Sequence, residues 1–250
     1  NKFSIRSLLV RPEISTLIMF ILIMLGFSIV SDHFLDARNI RIVMGITPEY
    51  IIVAVGIAIL MISGEFDLSV GSVFALVPMS IVQLTHQGIP PWIAIAIGLM
   101  IGISIGFVNG FITLKFGIPS FIATLGTSFA ITGISFVVTH NRPYMVWEPE
   151  FSFLGLGTFY SVPVCGLLFV GLYLVGMFVL YKTIYGQWIY AAGGNYETSR
   201  LSGLPVKRII FSTYFLSGLC AGIAGSITTS MGNLGSDEAS CIEKTWSRSR

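Results

Sequence analysis

Seven stretches of this chain run for about 17–25 residues with almost no charge, and that property decides what it can fold into. They lie at about residues 14–30, 43–62, 68–84, 90–114, 118–139, 162–181 and 209–231. A helix rises about 1.5 Å per residue, so about 20 apolar residues cross the hydrocarbon core of a bilayer. In lipid every backbone amide and carbonyl needs a partner within the protein, so such runs become helices. The reading is an all-α integral membrane protein, a polytopic helix bundle of about seven spans. Charge agrees: 10% of residues are charged, against about a quarter in soluble domains. The 27 Gly and 19 Phe also suit membrane helices. No connection is long enough for a soluble domain. Residues 1–236 are therefore read as one transmembrane domain and 237–250 as an atypical polar tail.

Lys and Arg in the connections set the orientation. With a cytoplasmic N-terminus, Lys2, Arg6, Arg11, Lys115, Lys182, Arg200, Lys207 and Arg208 lie inside, and Arg38, Arg41 and Arg142 outside. That bias selects N-in. The loop at about 140–161, with Trp147, then lies outside and is expected to pack across the outer mouth. Seven spans leave the tail "CIEKTWSRSR" outside, an awkward end that suggests a truncated chain. The first apolar run is long and lacks a small-residue cleavage site, so no cleavable signal peptide is expected.

Several function classes drop out. Net charge is +2, which gives no electrostatic footprint for nucleic acid. Cys165, Cys220 and Cys241 are too scattered for a zinc site or a disulfide framework, and the first two read as small apolar residues. His33, His86 and His140 each stand alone beyond an apolar run, so no metal site is expected. There is no G-x-x-x-x-G-K-[ST], H-E-x-x-H or G-x-S-x-G, so neither ATP binding nor the common hydrolase chemistries belong to this chain. Acids near the spans are few: Glu49 beside Pro48, then Glu65 and Asp67. An ion-coupled carrier is poorly supported.

Inside the spans, Gly98, Gly102, Gly106 and Gly110 recur every four residues and form one small face for helix packing. Ser217, Ala221 and Gly225 form another. In "SGEFDLSVGS", residues 63–72, Glu65 and Asp67 stand between two spans with almost no loop. In one reading Asp67 caps the next helix and Glu65 is solvated. In the other, Asp67 and Ser69 mark a broken helix lining a translocation path. In "GIPSFIATLGTS", Thr124, Thr127 and Ser128 either face a polar solute or bond back to their own helix. Asn109, beside Gly110, carries the same two readings.

Residues 190–208, "YAAGGNYETSRLSGLPVKR", are polar between two apolar runs. Gly193 and Gly194 break the incoming helix, and Asn195 suits an N-cap. Glu197 complements the dipole of a first turn, Gly203 supplies a stop and Pro205 bars continuation. The sequence thus predicts an isolated helix of about two turns, marginal unless the bundle beneath or a partner above holds it.

"GGNYETSRLSGLPV" resembles the cytoplasmic coupling loop of ABC transporter permeases of the ribose-type (simple sugar) importer family. "GEFDLSVGS" is similar to that family's G-x-x-D-L-S-V-G-S signature, "NGFITLKFGIPSFIATLGT" to its N-G…I-P-x-F-I-x-T-L-G-T segment, and "GLCAGIAG" to its helix after the loop. The resemblance covers about residues 10–236. It implies a permease subunit in the bacterial inner membrane, forming the path for a sugar or sugar-like solute. It further implies a second permease copy or homologue, an external solute-binding protein, and a cytoplasmic ATP-binding subunit that holds the ATP, this chain carrying no cofactor. On this resemblance Asn195, Glu197, Arg200, Leu201 and Gly203 couple to the ATPase. The family has a small residue where this chain has Glu65. It also continues beyond position 236, to about ten spans. The competing readings are a truncated, non-transporting remnant or regulatory partner, and an ATP-independent carrier. Pentose, hexose, inositol or a furanosyl signal all suit a nearly uncharged path.

Overall fold

A computed structural model describes residues 12–139, 158–159 and 162–231. These residues form nine helices: α1 (Pro12–Val30), α2 (Ala37–Ile62), α3 (Val70–His86), α4 (Pro91–Phe116), α5 (Ser120–Thr139), α6 (Val164–Lys182), α7 (Ile184–Gly194), α8 (Tyr196–Leu201) and α9 (Val206–Met231). A small antiparallel hairpin pairs β1 (Thr158–Phe159) with β2 (Val162–Pro163) ahead of α6. β1 apart, the expected packing of the 140–161 loop around Trp147 lies outside the described residues, as does the 237–250 tail.

Each of the seven apolar stretches is a helix, in keeping with an all-α polytopic membrane protein. Among the described residues, four helices are long and apolar enough by themselves to cross a bilayer: Gly45–Ile62, α4, Ser120–Val138 and Val206–Ser230. α6 and α7, bent by 75° at their junction, make a fifth if taken as one broken span. Ile14–Val30 and Val70–His86 are apolar but shorter.

The chain divides into two compact units, residues 1–46 and 47–250. In the first, α1 exposes Leu17, Met19, Phe20 and Leu22, side chains that suit a helix bathed in lipid. The turn after it is fixed by Asn39, which donates to the Phe34 carbonyl at 2.8 Å, and by Phe34 stacked on Phe27 at 5.7 Å.

In the second unit α9 is the central helix. Of Val206–Ser230, 67% is buried, against 22–33% of the other three long apolar helices. Its composition follows from that position. A helix surrounded by protein can carry Thr213, Ser226 and Thr229, all buried, because backbone carbonyls one turn earlier serve their hydroxyls. Ser226 and Thr229, for example, donate to the Gly222 and Gly225 carbonyls.

α4 crosses α9 through glycine. A Cβ at Gly102 would stand 2.6 Å from the Gly218 carbonyl oxygen, and one at Gly106 would stand 2.5 Å from that of Tyr214. Gly110 meets the side chains of Phe211 and Tyr214, while Gly98 faces Val77 and Ile81 of α3. The stripe therefore divides between two neighbours. Its partners on α9 are Gly218 and Gly222, while the face of Ser217, Ala221 and Gly225 packs against other helices. Ser217 packs beneath Gly56 of α2, Ala221 joins the α3–α4 apolar core, and Gly225 lies against Val77 and Pro78.

Candidate functional site

The stretch at 190–208 folds around two caps. Asn195 precedes α8, and its side-chain oxygen accepts from the Thr198 amide at 2.9 Å, satisfying one of the donors a helix start leaves free. After Ser202 the chain turns at Gly203, whose φ of +84° is the left-handed conformation that favours glycine. The incoming helix α7 ends at the glycine pair, as read from the sequence: Gly193 and Gly194 are its last residues. A further break lies upstream, where Thr183 caps α7 by accepting from the Gly186 amide. A Cβ at Gly186 would collide with the Leu180 carbonyl, so glycine there permits the sharp bend.

α8 is anchored from below. Ser199 is buried and donates to the Ala191 carbonyl at 2.7 Å, and Tyr196 and Leu204 pack on the core formed by Leu60, Ile189 and Ile210. The other face is free. Leu201 is 80% exposed, and Glu197 pairs with Arg200 at 2.9 Å with both side chains largely in water. Such an exposed pair contributes about 0.3–0.5 kcal/mol. Its charges remain accessible to a partner.

The second part of the site is the connection between α2 and α3. Asp67 is buried, and its Oδ1 accepts from the Ser69 amide (2.8 Å) and hydroxyl (2.6 Å). Asn109 of α4 donates to Ser69 Oγ at 2.7 Å and more weakly to Asp67 at 3.4 Å. Asp67 is thus not the cap of α3. It closes a turn on Ser69, which holds the cap position without a side-chain bond to the first turn. The connection is also laid along α5: the Phe66 amide donates to Ser120 Oγ, the Leu68 amide to Thr124 Oγ1, each at 3.1 Å. Ser72 and Ser128 hydroxyls meet at 2.7 Å. Irregular backbone between spans is thereby served by hydroxyls of a neighbouring helix.

Burial raises the Asp67 carboxyl above the ordinary carboxylate range, with the bonds from Ser69 and Asn109 partly offsetting it. Glu65 is raised by burial too, with a Ser120 hydrogen bond acting the other way. It is half-buried rather than solvated, and it shares a cleft of about 400 Å³ with Thr113, Ser120, Tyr196 and Lys207.

The two parts touch. A Cβ at Gly193 would collide with the Ile62 carbonyl, and one at Gly64 would stand 3.3 Å from Gly193 Cα. The end of α7, at Gly193 two residues before the cap of α8, therefore lies backbone to backbone against the start of the connection. The structure brings Asp67, Ser69, Asn109, Thr124 and Ser128 into one region. Thr127 stays apart, bonding back to the Ala123 carbonyl, and Thr124 also bonds back to Ser120 while receiving Leu68. Ser120 and Ser72 were not singled out from the sequence, and Gly193 was read there only as a helix breaker. Ser120, first residue of α5 after Pro119, carried a signal in its helix-start position.

A family model described as "Branched-chain amino acid transport system / permease component" matches residues 39–240. The chain is 33% identical over 214 residues to the ribose import permease protein RbsC of Bacillus subtilis, covering 85% of this chain and 66% of that protein. It is 32% identical to the L-arabinose ABC transporter permease protein AraH of Azospirillum brasilense (89% and 66%) and 35% identical to the L-arabinose transport system permease protein AraH of Escherichia coli (71% and 54%). The chain thus spans between about half and two thirds of the length of these relatives. No solved structure matches it. With apolar helices, a capped α8 and a family match over most of its length, the chain belongs to this family of transport-system permease components.

Proposed function

We propose that the chain is the transmembrane permease subunit of an ATP-binding cassette importer, forming the path for a sugar or sugar-like solute with energy from a separate cytoplasmic ATPase. The observation that carries this reading is α8: capped at Asn195, anchored through Ser199 and Tyr196, and open on its Glu197, Arg200 and Leu201 face. A helix held from one side with an unused face is a handle. Force on it reaches Gly193 and, through the backbone contact at Ile62 and Gly64, the connection holding Asp67 and Ser69.

On this reading Asn195, Glu197, Arg200, Leu201 and Gly203 form the ATPase contact. Asp67, Ser69, Asn109, Thr124, Thr127 and Ser128 border the path, and the α4 glycines let it form in a tight bundle. A sugar is favoured because the names of the relatives include ribose and arabinose permeases, and because hydroxyls dominate this region. A second permease copy or homologue and an external binding protein complete the assembly. The N-terminus is cytoplasmic in the bacterial inner membrane. That orientation puts α8, the 63–69 connection and the α4–α5 turn together on the ATPase side.

The test is co-purification with the cognate ATPase and ATP-driven uptake in proteoliposomes. Gly203→Trp and Glu197→Arg are each expected to abolish both while membrane insertion is unchanged. Normal co-purification and uptake in both variants would overturn the coupling assignment.

A further inference from the structure

Three cations sit together at one end of the α4–α9 pair. Lys115 lies in the last turn of α4, and Lys207 and Arg208 lie in the first turn of α9. The helices run antiparallel, Gly102 against Gly218 and Gly110 against Phe211, so the three side chains share one end. With Phe111, Leu114 and Phe211 they line a cleft of about 390 Å³. All three are exposed, and among the described residues none of their side chains forms an ion pair or a hydrogen bond. Lys115 Nζ stands over the Phe111 ring at 4.8 Å. Glu65 shares the neighbouring cleft with Lys207, and Arg200 is occupied by Glu197.

Cations in a first helical turn oppose the positive end of the helix dipole, so Lys207 and Arg208 are unfavourably placed without an anion. The surface leading away from them is apolar. Phe107 and Phe111 are exposed, stacked at 6.4 Å, and Phe107 meets Phe211 edge-on at 5.0 Å. An anion binding here therefore meets positive charge at its head and an aromatic, membrane-facing wall behind it. Free phosphate would use only the first of these.

We propose that this cleft holds an anionic phospholipid. The phosphate lies among Lys115, Lys207 and Arg208, and an acyl chain runs down the Phe111–Phe107 face. Basic pockets between membrane helices bind such headgroups, and each cation near an anionic surface strengthens binding about fivefold. The site needs only that the chain lies in a membrane, so it stands apart from the transport reading.

The test is native mass spectrometry of the full chain in mild detergent, titrated with phosphatidylglycerol or with phosphatidylcholine of the same acyl chains. The chain is expected to retain one phosphatidylglycerol at least about tenfold more tightly. Combined Lys115→Gln, Lys207→Gln and Arg208→Gln substitution should bring the two lipids within about twofold, and Lys207→Gln alone should cost about fivefold. Removing Lys182 and Arg200 instead should leave the preference intact. Equal retention of both lipids by the wild type would overturn the proposal. So would full displacement by millimolar inorganic phosphate, which marks a plain anion site, or loss of lipid on self-association, which marks an interface between copies.

Discussion

Asn109 donates its Nδ2 to Ser69 Oγ at 2.7 Å, joining α4 to the cap position of α3 with neither side chain reaching solvent. The same nitrogen approaches Asp67, whereas Asn109 Oδ1 has no partner among the described residues. Its contribution is therefore as a donor. Asn109→Leu, close in volume, leaves Ser69 and Asp67 short of one donor at a cost of about 1–3 kcal/mol. The melting midpoint of the purified chain should fall by about 2–10 °C. Asn109→Asp, which sets a second acid beside Asp67, should fall further. A reversed order of the two variants would show that shape, not the donated hydrogen, matters at this position.

The cap of α8 gives a local prediction. Asn195→Ala removes the bond to the Thr198 amide, a loss of about 1 kcal/mol, whereas Asn195→Ser keeps a capping oxygen. Hydrogen exchange at the amides of residues 198–201 should quicken about fivefold in the first variant and little in the second. Equal exchange in both would mean that Ser199 and Tyr196 alone hold the helix.

The sequence made α8 legible because each signal there is local: Asn195 before it, Glu197 in its first turn, Gly203 and Pro205 after it. The apolar spans were legible because their length is set by the bilayer, and their ends shifted by only a few residues. What escaped was tertiary. The α4 glycine stripe named its own face but not its partners, Gly218 and Gly222 of α9. The bend at Thr183 hid because the hydrophobic run continues through "IYGQWIYAA". Asp67 looked like a cap because Asp before a helix usually is one, and only the placement of Asn109 shows its carboxylate turned to Ser69.

Gly193 and Gly194 are adjacent but should behave differently. A Cβ at Gly193 meets the Ile62 carbonyl, part of a rigid helix end, whereas one at Gly194 finds nothing within 4 Å. Gly193→Ala must separate α7 from the α2–α3 connection and should lower the yield of folded chain and the melting midpoint. Gly194→Ala should leave both unchanged, or slightly improved through alanine's better helix propensity. Parallel preparations compared by gel filtration and thermal melting check this. Equal behaviour would mean that the contact between the two segments yields easily, and with it the mechanical link from α8 to the connection.

Glu65 gives the pH-dependent case. Burial raises its carboxyl above the ordinary range, and the Ser120 hydrogen bond only partly opposes this. A carboxyl raised in the folded state favours folding while protonated. Its contribution is complete below the unfolded-state value and is lost as pH climbs through the raised folded value. Glu65→Gln stays neutral throughout and removes that slope. Melting midpoints of wild type and variant should therefore converge at about pH 4 and separate as pH rises, with the variant the more stable, until the carboxylate is fully ionised. Separation in the opposite sense, with the wild type gaining as pH rises, would mean that the carboxylate is stabilised by charge. Lys207 shares its cleft and is the cation that would supply it. Glu65 would then be one half of an ion pair spanning the connection and α9, rather than an acid held out of water.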